Sequence, residues 1–504
     1  MDMKNKTLNI IGICGTGLGI VIAWCVRCAM YFFHDHRPLN FLPVLLIQAA
    51  ALALFLVMWR VKLPAWVSVV SLAAGGLGLV LSLVVAIVNL PNLPHFGNNL
   101  LEMLPVLVLG TAAAALYLLY DRLKASRAAR FAALSIAGGV AAAAIGLTLP
   151  GYLTTGAVVF DTGGQYTVEF LSNRRGLGFV EVTKDGKTET YYHAAHGKNV
   201  AHTTIHQVDI PKDALRGATY RVGVKSVLFT VSNHTFFGNT VHGKPTPFRT
   251  PVSEEGGTFF TVSDIHAQPG GAIHAVSAQF DRLDFIVCLG DWLSYASSRY
   301  DLSMLVDFMA EVSRGELPVV YVRGNHELLG EEAERLQAYI PTPNGEFYYT
   351  LAYNNAYFLI NDLAFNKADA YPGFSGLSDG ENYRTHQTAF VEQAVSEAEA
   401  AEAAYFVHLS HIPISTETVP LRQNLKGIVD LLNDAADVSI CGHTHHFRVE
   451  SPSVRVHFPV VQQGGNPDAD PSRYLGAVFT LSGGHITVEK IDASGNIQER
   501  IPLS

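Results

Sequence analysis

Five short apolar runs in the second half of the chain each lead into aspartate, asparagine or histidine. Residues 259–263 lead into Asp264-Ile265-His266, and 285–289 into Gly290-Asp291. Residues 319–322 lead into Arg323-Gly324-Asn325-His326-Glu327, 406–409 reach His411, and 438–441 lead into Gly442-His443-Thr444-His445. Runs this short, closed by glycine and polar residues, read as buried strands. Candidate helices at 300–313, 385–398 and 425–433 lie between them. Strands that alternate with helices predict an α/β sheet, and such sheets bind ligands at the C-terminal ends of their strands. One Gly-Asp or His-x-His is weak evidence. Five such elements in order leave little room for coincidence.

The residue types suit the chemistry. Aspartate and histidine are ligands for hard and borderline divalent metals. On an extended strand end the spacing in Asp264-x-His266 and His443-x-His445 would turn both side chains the same way, because the strand period is two. A single carboxylate, Asp291, has two oxygens and can bridge two ions. Asn325 adds a neutral oxygen. Glycines before Asp291, Asn325 and His443 permit tight turns and close backbone approach.

The set SDIH, GDW, GNHE, LSHIP and GHTH over about residues 257–490 resembles the calcineurin-like metallophosphoesterases. The resemblance implies a four-layer αββα domain and two divalent ions, with Mn, Fe, Zn and Co all compatible. It implies that Asp264, His266, Asp291 and His445 hold one ion, and that Asp291, Asn325, His411 and His443 hold the other. It leaves His326 unligated, to contact the phosphate and protonate or stabilise the leaving oxygen. Asp291 and His326 are then the catalytic residues, and a metal-bridging hydroxide attacks phosphorus in line. No Ser or Cys nucleophile motif is present. Substrate contacts are expected from Arg323, from the Asn-, Asp-, Gly- and Tyr-rich insert (Asn366, Tyr383, Arg384), and from His408.

Residues 155–250 read as short strands: 166–170, 178–182, 203–210, 218–225 and 248–250, with a hairpin signal at Lys184-Asp185-Gly186-Lys187. The pattern resembles the fibronectin-like β-sandwich that precedes the catalytic domain in purple acid phosphatases. Two departures separate this chain from that family. Those enzymes have Asp-x-Gly where this chain has Asp264-Ile265-His266. They also have a ligand tyrosine where this chain has Ser294, with Tyr295 one residue later, so the resemblance implies no tyrosinate–ferric site. The irregularly spaced histidines of this segment read as surface and strand-edge residues.

The first 150 residues are of another kind. Apolar stretches at 8–33, 41–59, 65–90, 101–120 and 131–150 are each near or above the roughly 20 residues needed to cross a bilayer. Loop Lys and Arg alternate as a cytoplasmic N-terminus requires. The expected architecture is therefore a five-span transmembrane bundle (1–152), a fibronectin-like β-sandwich (153–252) and a metallophosphoesterase domain (253–504). It predicts a multi-pass protein of the cell membrane with its catalytic domain outside the cytoplasm. The formal charge of −9, without a basic cluster, argues against nucleic acid as a partner. Five cysteines at irregular spacing make neither a disulfide framework nor a zinc motif.

The functional expectation is hydrolysis of phosphomonoesters or phosphodiesters at the outer membrane face, with a lipid-linked substrate and contact with membrane lipid as subsidiary expectations. The alternative is a metal-containing extracytoplasmic sensor that binds without turnover.

Overall fold

The computed structural model describes residues 151–231, 234–365, 367–374, 376–414, 423–465 and 471–503. Residues from Pro150 onward form one compact unit. Its first strands are β1 (Val158–Asp161), β2 (Gln165–Lys184), β3 (Lys187–Tyr192), β4 (Ala194–Ala195), β5 (Lys198–Asn199), β6 (Thr203–Pro211), β7 (Thr219–Val231), β8 (His234–His242) and β9 (Thr246–Pro247). There follow β10 (Gly257–Val262), β11 (Phe285–Leu289), β12 (Pro318–Val322), β13 (Tyr349–Tyr353), β14 (Ala356–Ile360), β15 (Tyr405–Leu409) and β16 (Val438–Cys441). The last are β17 (Arg448–Glu450), β18 (Val460–Gln462), β19 (Leu475–Ser482), β20 (His485–Asp492) and β21 (Ile497–Pro502).

Two sheets pack face to face. The larger runs β21-β20-β19-β10-β11-β12-β1-β2-β7-β8, and the smaller runs β13-β14-β15-β16-β18-β17. Between them lies an apolar layer in which Phe259, Phe285, Val287 and Val322 of the first sheet join Leu351, Phe358, Val407 and Ile440 of the second. The helices Gly270–Gln279 and Arg299–Ser313 cover the outer face of the first sheet. The helices Gly380–Ala400 and Gln423–Asn433 cover that of the second. This is the expected αββα order. Strands β11, β12, β14, β15 and β16 are buried along their whole length because each has a layer on both faces, and so they read as nearly continuous apolar runs, interrupted by His408 in β15 and Ser439 in β16. Helix Arg299–Ser313 begins where Ser298 and Asp301 make a reciprocal capping box.

The expected architecture needs two corrections. The first concerns the five-span transmembrane bundle. Among the described residues no helix is long and apolar enough to cross a membrane, and the described fold is an α/β domain. The stretches at 8–33, 41–59, 65–90, 101–120 and 131–150 lie outside the described residues.

The second concerns the fibronectin-like β-sandwich. Strand β1 pairs in parallel with β12 of the catalytic sheet, Val159 opposite Pro318 and Phe160 opposite Val319. The middle segment thus extends that sheet and does not form a separate pair of sheets. What reads as two strands, 166–170 and 178–182, is one 20-residue strand. A register shift between Leu171 and Gly176 bends it. Its first half lies between β1 and β6, and its second between β3 and β7. The bend lets Val168, Phe170, Val180, Val208, Tyr220 and Val222 share one core, which gives the segment its sandwich-like pattern. The hairpin at Lys184–Lys187 is present, with Asp185 and Gly186 both at positive φ.

Candidate metal centre

The metal-ligand residues follow the C-terminal ends of five parallel strands: β10, β11 and β12 in the first sheet, β15 and β16 in the second. They meet because the two sheets present these ends on the same side. Asp264, His266 and His445 bring ligand atoms within 4.8 Å of one another, as do Asp291, His411 and His443. His266, Asp291 and His326 form a third such group. Asp291 and His266 each belong to two of the three groups, so His266 links Asp291 to the Asp264 group.

The local geometry differs from the extended strand end expected from sequence. Asp264 (φ 55°), His266 (φ 43°), Asp291 (φ 52°), His443 (φ 71°) and His445 (φ 57°) all adopt left-handed backbone, five of eleven such non-glycine residues among those described. Each costs on the order of 1 kcal/mol. The chain turns sharply at each strand end, and these turns aim the ligands. Gly290 and Gly324 make the crowding possible. A Cβ on Gly290 would lie 2.5 Å from His411 Nδ1, and one on Gly324 would fall on the backbone and carboxylate of Asp291.

Surrounding groups fix each ligand. Ser263 Oγ donates to Asp264 Oδ2 at 2.6 Å, and the His443 amide donates to the same carboxylate. The His326 amide donates to Asp291 Oδ1 at 2.9 Å. His411 Nδ1 lies 2.8 Å from the carbonyl of Leu289, and His326 Nδ1 lies 2.8 Å from that of Ser294. A carbonyl only accepts, so both Nδ1 atoms carry protons when the rings are neutral, and both Nε2 atoms are left to face the site.

Glu327, quoted in the GNHE motif but given no role from sequence, organises the centre. It is fully buried. Its Oε2 accepts from the amides of Asp291 and Gly324, both at 2.9 Å, and its Oε1 from those of Trp292 (2.7 Å) and Leu293 (3.0 Å). One carboxylate thereby ties the loop after β11 to the loop after β12. A buried acid in a loop among glycines is the sequence signal that could have found it.

The charges fit two cations. Burial, reinforced by the charge of Asp291 and opposed by His411, pushes Asp264 up to about 7. Burial also disfavours charge on Asp291, yet His411 and His326 hold its carboxyl below the usual range. Burial opposes the charged form of His411, but Asp291 and Asp264 raise it to about 10. Burial and the neighbouring His411 hold His443 down at about 4. Two buried carboxylates and four histidines crowded at this range strain one another, and divalent ions would relieve that strain. Asn325 Oδ1 is buried without a hydrogen-bond partner, as a neutral metal ligand would be before its ion binds. The residues present therefore fit two ions: Asp264, His266 and His445 around one, and His411, His443 and Asn325 around the other, with Asp291 between.

The expected substrate residues are engaged elsewhere. Arg323 pairs with the buried Asp362 and stacks on Phe347, its guanidinium 4.4 Å from the ring centroid. His408 is buried, Nδ1 2.8 Å from Ser439 Oγ and Nε2 3.0 Å from Asn361 Oδ1, and burial lowers it to about 3. Arg384 is buried and donates to the carbonyl of Phe365. Tyr383 packs against Tyr348 and Phe365. Asn366 lies outside the described residues. Among the described residues no metal-type cluster includes the histidines of the middle segment.

Residues 257–447 match the model of the calcineurin-like phosphoesterase family. Solved structures similar to this chain include a dimetal phosphatase from Danio rerio, 15% identical over 49% of this chain and 98% of that one, with TM-score 0.38. A 5'-nucleotidase from Candida albicans is 13% identical over 49% of this chain and 52% of that one, with TM-score 0.29. A Vps29 single mutant from Entamoeba histolytica is 12% identical over 49% and 99%, with TM-score 0.25. No curated protein matches. The chain thus carries a calcineurin-like metallophosphoesterase domain; it is a metal-dependent phosphoric ester hydrolase, and its cofactors are two divalent metal ions.

Proposed function

We propose that this centre hydrolyses phosphomonoesters or phosphodiesters, with His326 serving the leaving group. One observation carries the reading. His326 sits at the edge of the ligand cluster with Nδ1 held by the carbonyl of Ser294, and its Nε2 lies 3.9 Å from Asp291 Oδ2. When bound, the ions supply an activated water and a positive clamp on the phosphoryl oxygens.

The chain's own residues do the remainder. Glu327 and the two glycines hold Asp291 in place. His411, locked by the Leu289 carbonyl, keeps one nitrogen for the site. His326 is partly exposed, within reach of solvent and of an incoming ester. Protonated at Nε2, it donates to the departing oxygen, and neutral it recovers its proton from water.

The test is turnover of aryl phosphate monoesters and diesters by purified protein after stripping with chelator and reloading with Mn²⁺. Activity that returns with the metal supports hydrolysis. Protein with metal bound and no turnover of either ester would favour the sensor.

Action at the outer face of a membrane, and a lipid-linked substrate, rest on the apolar sequence of the first 150 residues and are separate proposals. Fractionation with protease protection of intact cells tests the first. Comparing a lipid phosphate in vesicles with its water-soluble headgroup tests the second.

A further inference from the structure

The loop after β11 is buried at Trp292, Leu293 and Ala296, but Tyr295 is 55% exposed. The loop is held on both sides of that residue. Glu327 takes the amides of Trp292 and Leu293, the Ala296 amide donates to the carbonyl of Leu329 at 2.7 Å, and the Glu332 amide donates to the carbonyl of Ala296 at 3.0 Å. The carbonyl of Ser294, next in the chain, orients His326. The Tyr295 ring stands 5.8 Å from the His326 ring, centroid to centroid, tilted by 46°. A large aromatic is therefore held on a fixed backbone, exposed, beside the group that serves the leaving oxygen.

We propose that Tyr295 is the face against which the leaving group packs, and that the site prefers phosphoesters whose leaving group is a flat aromatic ring. The inference rests on the reading of the centre as a phosphoesterase with His326 at the leaving oxygen. A leaving oxygen that meets His326 Nε2 has the buried Asp291 on its inner side. The rest of the leaving group must then extend outward, where Tyr295 stands. An aromatic leaving group gains an offset or edge-to-face contact there, and a saturated one of similar size gains only area.

The probes are phenylphosphonate and cyclohexylphosphonate, which cannot turn over, titrated by calorimetry into the Mn²⁺-loaded full chain. The variants are Tyr295→Phe and Tyr295→Leu. In Tyr295→Leu the Kd for phenylphosphonate should rise about fivefold to tenfold while that for cyclohexylphosphonate moves less than about twofold. Tyr295→Phe should bind both as the parent does. Equal weakening of both probes in Tyr295→Leu, or no change in either, would overturn the assignment. Phenyl phosphate turnover by the parent protein is followed in parallel. Its absence would sink the phosphoesterase reading, while the phosphonate comparison still decides the role of Tyr295.

Discussion

Glu327→Gln should disable the centre without touching a metal ligand. The substitution keeps the volume of the side chain, so packing is unchanged and only hydrogen bonding is perturbed. The parent carboxylate accepts from four backbone amides, two at each oxygen. Glutamine offers one accepting oxygen and turns a donor towards the other pair. Two buried amides are then left unsatisfied, at about 1–3 kcal/mol each, and bonds to a charged acceptor are replaced by neutral ones. The expected loss is about 3–6 kcal/mol, a large part of a typical domain's stability. Because either pair includes the amide of Asp291 or of its neighbour Trp292, the Asp291 loop loosens in both cases and Mn²⁺ affinity should fall as well. Chemical denaturation with and without Mn²⁺, together with calorimetric Mn²⁺ titration, measures both. A variant within about 1 kcal/mol of the parent that binds Mn²⁺ equally well would refute the role assigned to Glu327.

Asp291→Asn should lose both metal occupancy and turnover, read by elemental analysis and aryl phosphate hydrolysis. His326→Ala should retain its metals and lose about 100-fold or more in kcat, and full activity would remove His326 from the mechanism. Arg323→Ala should destabilise the protein by about 3–5 kcal/mol because it leaves Asp362 buried and unpaired, and the double variant with Asp362→Asn should recover part of that in denaturant unfolding. His206, 2.7 Å from Ser172 Oγ, is pushed down to about 3 chiefly by burial and also by His193. Its folded-state pKa lies below its unfolded value, so the neutral ring contributes stability in full above about pH 6.5. That stability is lost as pH falls towards 3, by about 2 kcal/mol at pH 5. His206→Gln should flatten this part of the pH–stability curve.

The αββα order was legible because residues 285–289 and 319–322 are apolar without interruption and 406–409 and 438–441 are apolar but for His408 and Ser439, a pattern that a layer on each face explains. The helices expected at 300–313, 385–398 and 425–433 appear as Arg299–Ser313, Gly380–Ala400 and Gln423–Asn433. The place of the middle segment is not legible, because alternation along Tyr166–Phe170 shows that one face is buried and leaves open which strand lies alongside. Pairing of Val159 with Pro318 joins residues far apart in the chain, and no local pattern carries it. Arg323 reads from sequence as a substrate contact because it adjoins a ligand motif, and Arg384 because it lies in a polar insert. Asp362, Phe347 and the Phe365 carbonyl occupy them in the fold.

The sequence by itself determined the chemistry of the centre: which residue types, in which order, after which strands. Metal affinity belongs to aspartate, histidine and asparagine as side chains, and a residue's type needs no fold to be read. Tertiary structure decided how those side chains are aimed. The left-handed turns at Asp264, His266, Asp291, His443 and His445, the Glu327 carboxylate across two loops and the exposed Tyr295 beside His326 all depend on what packs against each segment. Those are contacts between strand ends distant in the chain: some form where β11 and β12 lie side by side in the first sheet, and the others only once the two sheets have closed on one another.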